Sequence, residues 1–395
     1  MTTYKVVFSP MLYIMKVTLW VTQLQEITDL LLRFVSKHAT LPVLENVYIK
    51  AWLDTVLFRA TDMEKYLEVE LEAHPSDEGA ITVNAKAFSD LLRTIEEKEV
   101  VMHIDPIKDI LTLSSASDEF VIKGISATEF VAVPTVQSDR NLQLDTAVFT
   151  RGIAKVEYAV MEKNFSPVLT GVLLKTKHYD DGRKLLFVGT DSFRLAEYKV
   201  ANVSWIDTAY SIIIPKMHVG DIKKVAEYAQ NHDVTTMQLQ FSDNMVSCSF
   251  AVWTMKLQCT ALLIQWMFPE YENENIMPTT FTAKAIIDKS QFDKSLKKIS
   301  ILTRDLNNYV LVKSKENVLE LSSGETDIGQ WETKVAAMID GSMPSFGVNA
   351  KYVADFLRVA ESSEIIMQVT ATEKPIIFKD KDDERFSYVV RPLIK

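Results

Sequence analysis

Glycine is scarce in this chain. Eleven residues in 395 is under 3%, against roughly 7% in an ordinary globular protein. Loops that cradle phosphates need glycines clustered at fixed spacings, so the shortage argues against a nucleotide- or cofactor-dependent enzyme. Cysteine is scarcer still. Cys248 and Cys259 lie close together in apolar, strand-like sequence, too few for a disulfide framework and in keeping with a reduced, cytoplasmic protein. The six histidines, His103 among them, show no metal-ligand spacing, and neither metal nor cofactor is expected. No apolar run approaches the ~20 residues of a membrane helix. Residues 1–14 have one lysine and a short apolar patch, Met11 to Ile14, without the longer core and cleavage site of a signal peptide. They read as an extension ahead of the fold. Positive charge is also outnumbered: 43 Lys and Arg against 53 Asp and Glu leave a net −10, which excludes a chain that is basic all over. DNA binding stays open, because it depends on where the charge sits.

What is present is repetition. The hydrophobic fraction of 47% suits soluble domains with real cores, and 395 residues at ~150 per domain predict two or three of them. Three segments carry apolar residues at helical spacing: TQLQEITDLLLRFVSKH from Thr22, FTRGIAKVEYAV from Phe149 and SQFDKSLKKISILTR from Ser290. Each leads into alternating, strand-like sequence. Leu-Pro-Val-Leu from Leu41 and Ser-Pro-Val-Leu from Ser166 are followed downstream by Ala-Thr-Asp and Gly-Thr-Asp. A second helix follows in each copy, at ITVNAKAFSDLLRTI from Ile81, IIIPKMHVGDIKKVA from Ile212 and FGVNAKYVADFLRVA from Phe346. Val-Asn-Ala-Lys occurs at both Val83 and Val348. The copies recur roughly every 130 residues, far above the 20–50 of solenoid repeats. An α+β chain of three similar domains is expected, at 15–137, 138–278 and 279–395 after the 1–14 extension.

At this point the sequence resembles the DNA polymerase III beta subunit family, the bacterial sliding clamps, over Met15 to Lys395. The words that carry the resemblance are LPVLENV at Leu41, SPVLTGVLL at Ser166, GTDSFRLAEY at Gly189, FPEY at Phe268, FGVNAKYVADFL at Phe346 and the terminal YVVRPLIK. It implies three domains of one fold, a head-to-tail homodimer closed into a ring, antiparallel sheets outside and helices lining the hole. It also implies a non-catalytic role: encircling double-stranded DNA without sequence preference, and holding polymerase, clamp loader and repair proteins to it.

The charge pattern can be set beside that implication. DNA is gripped mainly through its phosphates by lysine and arginine. Helix windows 22–38, 84–95, 149–160, 216–228, 290–304 and 350–360 carry 0, +1, +1, +1, +3 and +1. They total +7, so the rest of the chain holds −17. Lys223, Lys224, Lys294, Lys297, Lys298, Arg304 and Arg358 contribute to the surplus. Amphipathic helices often carry lysine on a wet face, so only the contrast in sign favours a DNA path. No base-reading motif is apparent.

The resemblance further implies a pocket for short partner peptides at Leu169, Thr190, Ser192, Phe193, Arg194, Leu195, Pro269, Ile276, Pro375, Val389, Val390, Arg391, Pro392 and Leu393. Taken alone, TDSFRL reads as a plain strand and turn. The chain departs from the family where Ser192-Phe193 stand for Gly-His and Arg391 for an apolar residue, and the loop after FPEY is about two residues longer, all of which bears on peptide preference. DNA-contacting loop positions fall on His38, often arginine in the family, and on Lys163. Dimer contacts fall on Phe120, Ile122, Ile301 and Leu302, which could equally be core.

Two other readings compete. A hydrolase could use Asp62 and Asp191 as paired carboxylates, but both sit in the same repeated Thr-Asp word, which a structural turn explains better. No Gly-x-Ser-x-Gly, His-Glu-x-x-His or Walker loop accompanies them. A divergent clamp-like scaffold that binds proteins without being loaded on DNA is the alternative within the family.

Overall fold

The computed structural model describes residues 15–37, 39–136, 140–162, 166–180, 182–201, 210–303, 306–323 and 329–394. The 1–14 extension, His38, Lys163 and Arg304 lie outside them. One order of elements appears three times. The first copy runs β1 (Met15–Trp20), α1 (Val21–Leu31), β2 (Asn46–Trp52), β3 (Thr55–Thr61), β4 (Lys65–Glu72), β5 (Gly79–Asn84), α2 (Ala85–Leu92), β6 (Glu99–Asp105), β7 (Ile110–Ser114) and β8 (Glu119–Lys123). The second runs β9 (Asn141–Asp145), α3 (Thr146–Val156), β10 (Gly171–Tyr179), β11 (Gly182–Thr190), β12 (Arg194–Ala201), β13 (Ser211–Pro215), α4 (Lys216–Asn231), β14 (Thr236–Phe241), β15 (Met245–Val252) and β16 (Met255–Leu262). The third runs β17 (Ala283–Asp288), α5 (Lys289–Thr303), β18 (Tyr309–Lys315), β19 (Val318–Ser322), β20 (Glu332–Gly341), β21 (Phe346–Asn349), α6 (Ala350–Val359), β22 (Glu364–Val369), β23 (Ile376–Asp380) and β24 (Phe386–Val390). All pairings between these strands are antiparallel.

The repeated words have local causes. In β1, Met15, Val17 and Leu19 are buried while the residues between them are exposed, the period of a half-buried strand. Val-Asn-Ala-Lys is a strand end followed by a helix cap. The Asn84 side chain accepts from the Ala87 amide (3.0 Å), and Asn349 accepts from the amides of Lys351 (2.9 Å) and Tyr352 (3.3 Å). Cys248 and Cys259 face each other across β15 and β16 as free, fully buried thiols, which burial holds protonated by raising their pKa.

The chain forms two compact units, residues 1–146 with 221–262, and 147–220 with 263–395, so the second copy is shared between them. In the first unit an eight-stranded sheet runs β5-β2-β3-β4-β16-β15-β14-β9 beside a four-stranded one, β1-β6-β7-β8. In the second unit twelve strands run β13-β10-β11-β12-β24-β23-β22-β17-β20-β19-β18-β21. Each long sheet therefore crosses from one copy to the next by pairing a fourth strand with an eighth: β4 with β16, and β12 with β24.

Candidate functional site

The turn between β11 and β12 is built by the Thr-Asp word. The Thr190 hydroxyl donates to the Arg194 carbonyl (2.6 Å), and one Asp191 oxygen accepts from the Phe193 and Arg194 amides (both 3.0 Å). The turn between β3 and β4 repeats this. Thr61 donates to the Lys65 carbonyl (2.9 Å), and Asp62 accepts from the Glu64 (3.0 Å) and Lys65 (2.9 Å) amides. Each carboxylate weighed as half of a catalytic pair is thus occupied in closing its own turn. The third turn residue is left-handed in both, Met63 and Ser192 each at φ 76°. That conformation costs a side-chain-bearing residue about 1–2 kcal/mol, which is why glycine suits the position.

Register then decides which side chains share a face. Arg194 pairs with Val390 and Leu195 with Val389, and the Arg391 amide donates to the Phe193 carbonyl (2.8 Å). Alternation sets Phe193, Arg391, Leu195 and Val389 on one face and turns Arg194 and Val390 to the other. On the first face lies a groove of about 490 Å³. Leu195 and Val389 are its buried floor, and Phe193 (54% exposed) and Ile276 (37% exposed) stand at its rim. Thr190, Ser192, Pro375 and Arg391 complete the expected lining. Lys374 donates to Asn275 (3.1 Å) within the same lining.

Arg194 borders the groove but does not offer it a free cation. Its guanidinium is buried on the opposite face, bonded to Asp191 (2.9 Å), Asp355 (2.6 Å) and the Tyr158 carbonyl (2.8 Å), and stacked over Tyr352 at 4.5 Å. Burial opposes its charge, yet Tyr388, Asp355 and Asp191 outweigh that and raise its pKa.

Five other expected residues do not line the groove. Leu169, Val390 and Pro392 are buried, Pro269 is exposed in the loop before β17, and Leu393 donates to the Gly347 carbonyl (2.9 Å). Asn275, Glu373 and Lys374 line it without having been singled out in the sequence. Asn275 lies in the loop after FPEY, next to Ile276, which the sequence did single out; Glu373 and Lys374 sit in a turn with no patterned word.

On α5, Lys294, Lys297 and Lys298 are exposed opposite the buried Phe292, Leu296 and Ile299. Lys297 is tied to Asp293 (2.6 Å), Lys224 to Glu227 (2.5 Å) and Arg358 to Asp355 (3.3 Å); Lys223 is half-buried on α4. Of the expected dimer residues, Ile301 is 64% exposed and Leu302 half-buried at the end of α5. On β8, Ile122 is buried and Phe120 half-buried, while the neighbouring Val121 faces solvent.

Three family models match the chain: the N-terminal domain of the DNA polymerase III beta subunit over residues 15–134, its central domain over 143–270 and its C-terminal domain over 274–394. The beta sliding clamp of Synechocystis sp. is 27% identical over 385 residues, covering 92% of this chain and 95% of that protein. The Staphylococcus aureus beta sliding clamp is 25% identical over 384 residues, covering 95% and 97%. Among solved structures, the Thermotoga maritima DNA polymerase III beta subunit superposes with a TM-score of 0.86 at 22% identity, covering 96% of this chain and 100% of that one. The Bacillus subtilis DNA polymerase sliding clamp does so at 0.85 and 23%, covering 96% and 99%.

Proposed function

The chain belongs to the DNA polymerase III beta subunit family, and from that we propose that it is a DNA sliding clamp. Two copies close head to tail into a ring around duplex DNA, without reading sequence, and tether a polymerase for processive synthesis. The clamp loader and other proteins with clamp-binding motifs share the groove beside Phe193. The role is non-catalytic and cytoplasmic, and among the described residues no helix is long and apolar enough to cross a membrane.

The observation that carries this reading is the reuse of one joint. Fourth strand meets eighth strand twice within the chain, at β4–β16 and β12–β24. One strand of each kind is then left over. β8, the eighth strand of the first copy, ends its sheet, and residues 332–336 of β20, the fourth strand of the third, pair with β19 alone among the described strands. A second copy supplies what each edge lacks, and Phe120, Ile122, Ile301 and Leu302 fall on or near those elements. A ring holds DNA by topology, so weak contacts from exposed lysines suffice and permit sliding.

Sedimentation of the purified chain at micromolar concentration should give a dimer; a strict monomer would count against the ring. Lys297→Glu with Lys298→Glu should weaken loading and processive synthesis while the fold, read by circular dichroism, stays intact. Unchanged processivity would remove those two lysines from the DNA path.

A further inference from the structure

The two junctions can be matched residue for residue. In the first unit Leu262 pairs across to the Glu64 carbonyl (2.8 Å) as Arg391 does to Phe193 (2.8 Å) in the second. Register also matches Tyr66 with Leu195 and Met245 with Pro375. Tyr66, Met245 and Leu262 are covered by the chain itself: Val133 and Val136, from the linker VAVPTV, pack on them. The first unit thus carries a linear segment seated where the second unit has an open groove. The segment is neutral, and the position beneath it that matches Arg391 is leucine.

Resting on the clamp reading of that groove, we propose that Arg391 makes it selective for linear segments carrying a carboxylate beside two apolar residues three apart. The apolar pair takes the places that Val133 and Val136 take in the first unit, over Leu195, Pro375 and the stem of Arg391. Arg391 then meets the carboxylate. Among the groove's charged side chains Arg194 is spent on Asp191 and Asp355, and Lys374 is held by Asn275. Glu373, on the same wall as Lys374, disfavours a second acid at that end. Arg391 is exposed in the groove lining, its amide bonded to the Phe193 carbonyl (2.8 Å), and its long side chain can lay its apolar stem along the groove while its head meets a ligand.

A displayed library of random seven-residue peptides, selected on the full-length protein, tests this. Peptides that still bind an Ile276→Arg variant are discounted as bound elsewhere. On the unaltered protein, Asp or Glu should be enriched next to an apolar pair. Arg391→Met should keep the pair and lose the acid, and Arg391→Glu should enrich Lys or Arg there instead. For the best acidic peptide, Asp→Asn should weaken Kd by about threefold to fivefold on the unaltered protein and not on Arg391→Met. An apolar pair with the same acid frequency on all three proteins overturns the role of Arg391 and leaves the groove standing. Absence of any apolar pair overturns the groove reading itself, and this inference with it.

Discussion

Lys65 and Arg194 hold the same place in two matching turns and differ in what they can grip. The Lys65 ammonium reaches Asp221, with Asp62 farther off at 3.8 Å, and lies over Phe34 at 5.5 Å. The Arg194 guanidinium divides itself among Asp191, Asp355 and a carbonyl while stacking on Tyr352. Asp221 and Asp355 are each the sixth residue of their helices, α4 and α6. The same contrast recurs one layer away. Glu26, sixth in α1, accepts from the Tyr228 hydroxyl (3.0 Å), whereas Arg151, sixth in α3, meets Glu361 (2.7 Å) and Asp383 (3.3 Å). Strand pairing is therefore the shared device, and the charges around it are free to vary. A planar guanidinium offers five donors in a fixed fork, whereas an ammonium offers three on a mobile stem. The unpaired counterparts differ again: Asp90, sixth in α2, is exposed, and the strand position matching Lys65 and Arg194 in the third copy is Trp331.

If that contrast is real, breaking the second junction should cost more than breaking the first. Arg194→Met takes a shared, buried guanidinium from two largely buried carboxylates, Asp191 and Asp355. Among the described residues only Asp355 keeps another cation, Arg358 at 3.3 Å, and the unfolding free energy should fall by about 3–5 kcal/mol in a denaturant titration. Lys65→Met leaves Asp221 with Arg33 at 3.5 Å and should cost about 1–3 kcal/mol. Equal losses would erase the distinction between fork and point charge.

A pH series sharpens it. Burial pushes the Asp380 carboxyl up, but Ser362, the Glu361 and Ser362 amides and Lys155 outweigh burial and hold its pKa below 3.8. A depressed carboxylate stabilises the fold above its ordinary value and loses that contribution as pH falls below it. Asp380→Asn should therefore be less stable than the parent at neutral pH, with the gap closing below pH 3.8. The smallest effect tests the likeness of the two turns. Met63→Gly and Ser192→Gly should each stabilise by about 0.5–1 kcal/mol, and by equal amounts, by relieving the left-handed backbone.

The threefold plan was legible in the sequence because it is local. Helical spacing marked α5 and its lysines, and Val-Asn-Ala-Lys encoded a strand end and a cap. The first helix, read through His38, stops at Leu31, where the Arg33 and Phe34 amides tighten onto Leu30 and Leu31 and turn the buried Phe34 inward. The groove was only partly legible. Its Thr-Asp turn and C-terminal strand are recognisable words, but which of Phe193 and Arg194 faces the groove depends on the register between β12 and β24, nearly two hundred residues apart in the chain. Glu373 and Lys374 enter the lining through the same tertiary pairing and leave no pattern in the sequence.

Retention on DNA tests the ring most directly. After loading with the clamp loader, the dimer should remain on a closed circular plasmid through gel filtration at moderate salt and run off the same plasmid once it is cut. Equal retention on both forms, or on neither, would mean that contact affinity rather than enclosure governs binding, and would contradict the clamp.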